Sequence, residues 1–241
     1  MYNQQTSIDK AYNYIQGLRT AGKSYNGTPV YNVTKDDVKA LFDIANKYGF
    51  PGEYLINLVG FETGRTYNPS ITNSIGATGL IQFMPSTAKG SCLNTTTDAL
   101  RKMTFQQQLV YVDKYLYCNL KKHLINGKVP DTFTQGDLFM TIFYPAAINK
   151  PNFAFPDSVQ RANAGIAKPQ DYVEKALRVA IFPLSDFPYT IAEVKKKYGA
   201  LVTPRNIWIV VIGVVVIILA IVLKDNLFEM GDYIKKLFRG S

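Results

Sequence analysis

The chain has 241 residues, 47% hydrophobic and 19% charged, which excludes wholesale disorder and leaves room for one or two domains with a sizeable core. Its 27 Lys and Arg against 18 Asp and Glu give a net charge of +9, which favours anionic partners such as nucleic acid, acidic lipid or a polyanionic cell wall. With one His and two Cys, the chain cannot easily assemble the three or four ligands of a zinc site. His123 and Cys118 also sit at a spacing that turns them apart on one helix, so zinc and Cys–His chemistry drop out.

The N-terminal Met1 to Ser7 is polar and carries no secretory signal. Residues 8–21 predict a short amphipathic helix, followed by a Gly/Ser/Asn/Pro-rich loop to Asn32. Thr34 with Asp37 has the form of a capping box, and Val38, Leu41, Phe42 and Ala45 then line one helix face up to a stop at Gly49. Pro51 suits the first turn of the next helix, which runs to Thr63. The Gly-, Ser-, Thr- and Asn-rich stretch 64–80 reads as an ordered loop or small hairpin. Thr104 with Gln107 and Thr134 with Asp137 cap two further helices, the second ending near Pro145. Pro169 opens another reaching Ile181, and Thr190 with Glu193 starts a short basic helix before Gly199. Cys92 and Cys118 are expected as two free thiols.

From Ile207 to Leu223 seventeen residues run without charge or proline, 14 of them Ile, Val or Leu. As a helix this stretch spans roughly 26 Å, and insertion is worth roughly −4 to −8 kcal/mol. Trp208 and Lys224 fit the two interfaces. The expected organisation is therefore a mainly α chain: an N-terminal helical extension (1–33), a main domain (34–185), a connector (186–206), a single transmembrane helix in the lipid bilayer (207–223) and an amphipathic basic tail (224–241). The basic residues are scattered apart from Lys195–Lys197, and no nucleic-acid motif accompanies them, so no specific nucleic-acid partner is expected.

On the helix from Pro51, Leu55, Leu58, Val59 and Glu62 fall at i, i+3, i+4 and i+7. Glu62 thus shares the apolar face and stands at the helix end beside the Gly-rich loop. A carboxyl against an apolar wall loses hydration and holds its proton to higher pH, as a general acid must.

The residues that follow carry a resemblance. Glu62-Thr63-Gly64, then Ser74-Ile75-Gly76-Ala77-Thr78-Gly79-Leu80-Ile81-Gln82-Phe83-Met84-Pro85-Ser86-Thr87-Ala88, closely resemble the soluble lytic transglycosylase domain. In that family a catalytic Glu is followed about twenty positions later by a Gly-Ala-x-Gly-Leu-Met/Ile-Gln-x-x-Pro-x-Thr-Ala run. The likeness extends through Gln107–Tyr115 and through Phe143–Pro151, which is similar to bacteriophage members, and covers roughly residues 35–180.

The resemblance implies a lysozyme-like helical domain with Glu62 catalytic. Gln82, Phe83, Gly79 and Ser74 would lie along the glycan cleft, with Gly76 and Gly79 allowing close approach to sugar and Phe83 and Met84 on its wall. The family's sugar-positioning tyrosine has Tyr144 as its nearest candidate, with Asn163-Ala164-Gly165 as a rival segment. The implied substrate is the peptidoglycan glycan strand, and no metal or organic cofactor is implied.

No acidic residue occurs from Thr63 to Thr97. That gap favours a single-carboxylate route ending in a 1,6-anhydro sugar over a two-carboxylate hydrolysis. A lysozyme-type muramidase or host-lysis enzyme on the same scaffold, and a non-catalytic wall-binding membrane protein, are the alternatives. The missing signal and the C-terminal span point to a single-pass membrane protein of a phage particle, beside virion structural proteins, or of the host envelope.

Overall fold

The computed structural model describes residues 3–163, 165–185 and 187–198. The expected span at 207–223 and tail at 224–241 lie outside the described residues; within them no helix is long and apolar enough to cross a membrane. The described residues form ten α-helices, a 3₁₀ turn and one two-stranded hairpin, so the chain is mainly α.

Helix α1 (Gln4–Thr20) starts at Asn3, whose side chain accepts from the Gln5 and Thr6 amides. Its Ile8, Ala11 and Ile15 enter the common core, so this helix packs with the helices that follow it. The expected loop after it contains a hairpin, β1 (Ser24–Tyr25) paired with β2 (Thr28–Pro29). Asn26 and Gly27 take φ of 49° and 75°, the left-handed pair that a tight antiparallel turn needs. Helix α2 (Lys35–Tyr48) carries the Thr34–Asp37 capping box and ends at Gly49, φ 83°.

Helix α3 (Gly52–Glu62) departs from the one-sided pattern expected of it. Every residue from Pro51 to Gly60 is buried, so the helix is a central strut and not an amphipathic surface element. Helices α1 and α2 pack on it together with α7 (Gln135–Phe143) and α9 (Pro169–Leu177). Its polar groups are matched inside the core. Asn57 donates to the Phe182 carbonyl at 3.0 Å and accepts from the Phe182 amide at 3.1 Å, and the Tyr54 hydroxyl donates to the Tyr189 carbonyl at 2.8 Å.

The stretch after α3 is a compact loop in which Thr78 bridges to Thr72 on one side and to Phe83 on the other. Asn73 Oδ1 accepts from the Ile75 and Ala77 amides, both at 3.0 Å, and holds the tip. Short helices α4 (Pro85–Lys89) and α5 (Thr97–Arg101) lead to α6 (Phe105–Leu120), capped by Thr104 and Gln107. The chain doubles back through α5 and brings Cys92 within 6.4 Å (Cα to Cα) of Cys118, and the two form a disulfide, correcting the expectation of free thiols. After α7 come the 3₁₀ turn Pro145–Ala147, α8 (Asp157–Ala162) and α9, which ends at Leu177, short of the expected Ile181. Helix α10 (Ile191–Tyr198) buries Ile191 and Val194, so this part of the expected connector is core.

One buried amide joins the loop to α6. Gln108 Oε1 accepts from the Leu80 amide at 2.6 Å, while Nε2 donates to the carbonyls of Pro69 and Leu100 at 2.9 and 3.0 Å. Gly79 makes room for it: a Cβ there would stand 2.4 Å from the Gln108 amide, and φ is +89°. Gln108→Leu leaves the buried Leu80 N–H and the Pro69 carbonyl unpaired, while the Leu100 carbonyl keeps the Met103 amide at 3.0 Å. It is expected to cost about 2–4 kcal/mol in urea unfolding.

Candidate active site

Glu62 is the last residue of α3 and keeps part of its surface accessible while the helix behind it is buried. Thr63, next in the chain, is buried and turns the backbone sharply. Its hydroxyl donates to the Val59 carbonyl at 2.7 Å and accepts from the Tyr67 amide at 3.0 Å. Gly64, Arg65 and Tyr67 all take positive φ in this turn. Carbonyls of the last helical turn are taken up by the Thr63, Gly64 and Arg65 amides, so the helix end is closed by its own backbone.

The Tyr172 hydroxyl, from α9, donates to Glu62 Oε1 at 2.5 Å. Tyr172 is buried in an aromatic box. Phe143 stacks on it at 4.3 Å between centroids, and Phe61 and Phe139 meet it edge-on at 5.3 and 6.1 Å. Burial in these surroundings raises the Glu62 carboxyl from an ordinary 4.5 to about 7, and the Tyr172 hydrogen bond opposes the rise in part. Burial and the adjacent Glu62 charge push the Tyr172 phenol well up, which keeps it a donor across the neutral range. Tyr115, from α6, senses the same carboxyl: burial raises its phenol most, an Asn119 hydrogen bond opposes this, and the Glu62 charge raises it further.

The Gly-rich loop meets this group through Phe83, whose ring stands edge-on to Tyr115 at 6.0 Å. Phe83 is only 2% exposed and belongs to the core, whereas Met84 is 39% exposed. The Phe83 ring packs inward, while Met84 and Ile75 are the apolar side chains of the loop that face out. Gln82 sits at φ 50°, and its Nε2 donates to the Gly79 carbonyl at 3.1 Å and, at 3.5 Å, to that of Ile71. Its amide nitrogen thus braces the loop that carries it. Gly79 leaves room for the Gln108 amide, and Ser74 lies on the exposed tip beside Ile75.

Tyr144 is half-buried, with its ring against Phe153 at 5.4 Å and Phe155 at 5.3 Å. Phe155 in turn meets Phe143, so Tyr144 joins the Glu62 site through two intervening rings before Tyr172. The tyrosine on the carboxyl is Tyr172 and not Tyr144. The rival Asn163 caps the end of α8, and Ala164 lies outside the described residues. Tyr172 has no motif of its own; its spacing with Val173 and Ala176 on α9 is that of any core face. Tyr115 stood inside a recognisable run but without an assigned role.

Among the described residues no cluster of three or more His, Cys, Asp or Glu side chains is placed to hold a metal ion. The arrangement is one largely buried carboxyl, protonated in part at neutral pH, with a phenol donor fixed on one oxygen. It can give a proton to a bound atom and, once ionised, take one back. No protein-family model, curated protein or solved structure matches this chain.

The raised carboxyl sets a pH dependence of stability. Between an unfolded value of 4.5 and a folded value of about 7, the native state retains a proton that the unfolded state has lost. Stability from this group is full below that window and is lost as pH rises through it. Chemical denaturation of Glu62→Gln should accordingly show a flatter profile from pH 5 to 8, with the difference on the order of 2 kcal/mol. Tyr172→Phe removes the bond that opposes the rise, so the Glu62 titration followed by NMR should move above the wild-type value.

Proposed function

We propose that the chain is a membrane-anchored lytic transglycosylase that cuts the β-1,4 bond between N-acetylmuramic acid and N-acetylglucosamine in peptidoglycan, on a lysozyme-like domain. The observation that carries this reading is Glu62: a carboxyl at the end of a buried helix, raised to about 7 and held by Tyr172. It stands at the start of the motif whose likeness to the transglycosylase domain was drawn from sequence. The apolar stretch 207–223 supplies the anchor in this reading, and carriage in a phage particle would bring the wall-cutting domain to its substrate.

In the first half of the reaction, protonated Glu62 gives its proton to the glycosidic oxygen, and the bond from that oxygen to C1 of the muramic acid breaks. The carboxylate left behind is stabilised by the Tyr172 hydroxyl. In the second half it takes the proton of the C6 hydroxyl as that oxygen closes on C1. The ring-closed 1,6-anhydro end forms, Glu62 regains its proton, and no water is consumed. A single carboxyl suffices, consistent with the acid-free stretch from Thr63 to Thr97.

Incubation of the full chain with purified peptidoglycan, followed by mass spectrometry of the released fragments, tests the reading. Anhydromuramic ends are expected, and Glu62→Gln should lower their release by about 10²–10⁴-fold or more without loss of helical signal. Reducing ends in place of anhydro ends would defeat the transglycosylase assignment in favour of hydrolysis. Undiminished cleavage by Glu62→Gln would remove the carboxyl from the chemistry.

A further inference from the structure

The β1–β2 hairpin lies outside the stretch 35–180 that resembles the transglycosylase domain, yet it is docked on the turn that follows Glu62. The Tyr31 amide donates to the Thr66 carbonyl at 2.8 Å, and Asn68 Nδ2 donates to the Pro29 carbonyl at 3.1 Å. Tyr25, in β1, meets the same turn with its ring. A Cβ at Gly64 would stand 2.5, 2.7 and 2.8 Å from Tyr25 Cγ, Cδ1 and Cδ2. Near-equal distances to three adjoining ring atoms put Gly64 over one face of the ring. Gly64 is two residues beyond Glu62, within about 7 Å from Cα to Cα, and its amide closes on the Phe61 carbonyl at 3.1 Å. Its φ of +57° and the ring above it leave no place for a side chain. The ring is nevertheless 49% exposed; among the described residues Tyr117, on α6, is the other exposed aromatic. With one face on Gly64, the opposite face is left to solvent.

We propose that the outer face of Tyr25 is a stacking platform for a sugar of the β-1,4-linked glycan strand, beside the bond that Glu62 cleaves. This inference rests on the reading of Glu62 as the proton donor. The face of a phenol ring carries negative charge density, and the axial C–H bonds of a pyranose carry partial positive charge, so the two stack. Gly64 fixes the ring from behind, and the backbone bonds from Tyr31 and Asn68 fix the hairpin that carries it. The platform is therefore formed before the strand arrives, and binding does not have to order it. Tyr25 moves no proton in this scheme; it holds the strand in register with the carboxyl. Its contact is made equally in the bound ground state and during cleavage, so its loss falls on KM and leaves kcat. The contact reads only the sugar face, so a peptide-free oligomer of N-acetylglucosamine is bound as well.

The test uses the full chain in detergent. Cleavage of purified peptidoglycan is followed alongside calorimetric binding of the tetramer of β-1,4-linked N-acetylglucosamine, and urea unfolding is recorded on the same samples. Tyr25→Leu keeps an apolar group on Gly64 but removes the aromatic face. It is expected to weaken tetramer binding and raise KM, each by about 3- to 10-fold, with kcat kept within about twofold. Tyr25→Trp should restore both, and its indole emission should shift to the blue when the tetramer is added, over the background of Trp208. Unchanged binding and KM in Tyr25→Leu overturn the platform and leave the glycan-cleaving reading intact. A fall in kcat at constant KM, or a lowered unfolding midpoint that Tyr25→Trp does not restore, also overturns it, because Tyr25 would then brace the turn and not the sugar. Failure of the wild-type chain to bind the tetramer does the same. A wild-type chain that leaves peptidoglycan uncut defeats the glycan-cleaving reading, and the platform with it.

Discussion

Burial of α3 on all sides is the constraint on which the rest depends. A helix with Glu53 and Asn57 in its body can lie in the core only if each polar group meets a partner, and Asn57 does so with the Phe182 backbone. Tyr54 binds the same closing segment, so the stretch from 182 to 189 is drawn over the helix. Phe61 and Glu62, at the helix end, are its first residues with accessible surface. The carboxyl sits at the negative end of the helix dipole as well as in dry surroundings, and both favour its neutral form. Its raised proton affinity is thus a consequence of where the central strut stops.

The Gly-rich run beyond α3 organises itself before it can present anything to a ligand. Thr78 bridges to Thr72 and Phe83, Asn73 gathers two amides, Gln82 binds two carbonyls of its own loop and Gly79 gives way to Gln108. Motif positions that invite a reading as sugar contacts are occupied with backbone accounting, since a tight loop packed on a core must satisfy every buried N–H and C=O. What it offers outward is Ser74, Ile75 and Met84.

The aromatic cluster at the other side of Glu62 fixes the phenol that fixes the carboxyl. Phe61, Phe139 and Phe143 confine Tyr172 from three directions, so its hydroxyl has little freedom except toward Oε1. Phe143 extends the packing to Phe155 and Tyr144, which joins the 3₁₀ turn after α7 to the same site. Asp137 strengthens that link, because it caps α7 through Thr134 and also accepts from the Asn149 amide at 2.7 Å. Apolar confinement of the Glu62 carboxyl is unfavourable for stability above neutral pH, where the group must ionise.

Local features were readable from the chain alone. The boxes at Thr34–Asp37, Thr104–Gln107 and Thr134–Asp137, and the stop at Gly49, involve residues within one turn of each other and need no tertiary context. The Asn26-Gly27 turn carried an equally local signal that the loop-like composition around it masked. Glu62 at the end of an apolar helix was also visible, because helical periodicity places it there. The tertiary structure alone decided the rest. The Cys92–Cys118 bond, the membership of α1 and α10 in one core, the inward turn of Phe83 and the burial of α3 on every face depend on distant segments arriving together. Tyr172 stands 110 residues from Glu62, and no spacing rule connects them. The side chain that sets the carboxyl's orientation is chosen by how α9 packs on α3, a contact that sequence periodicity does not encode.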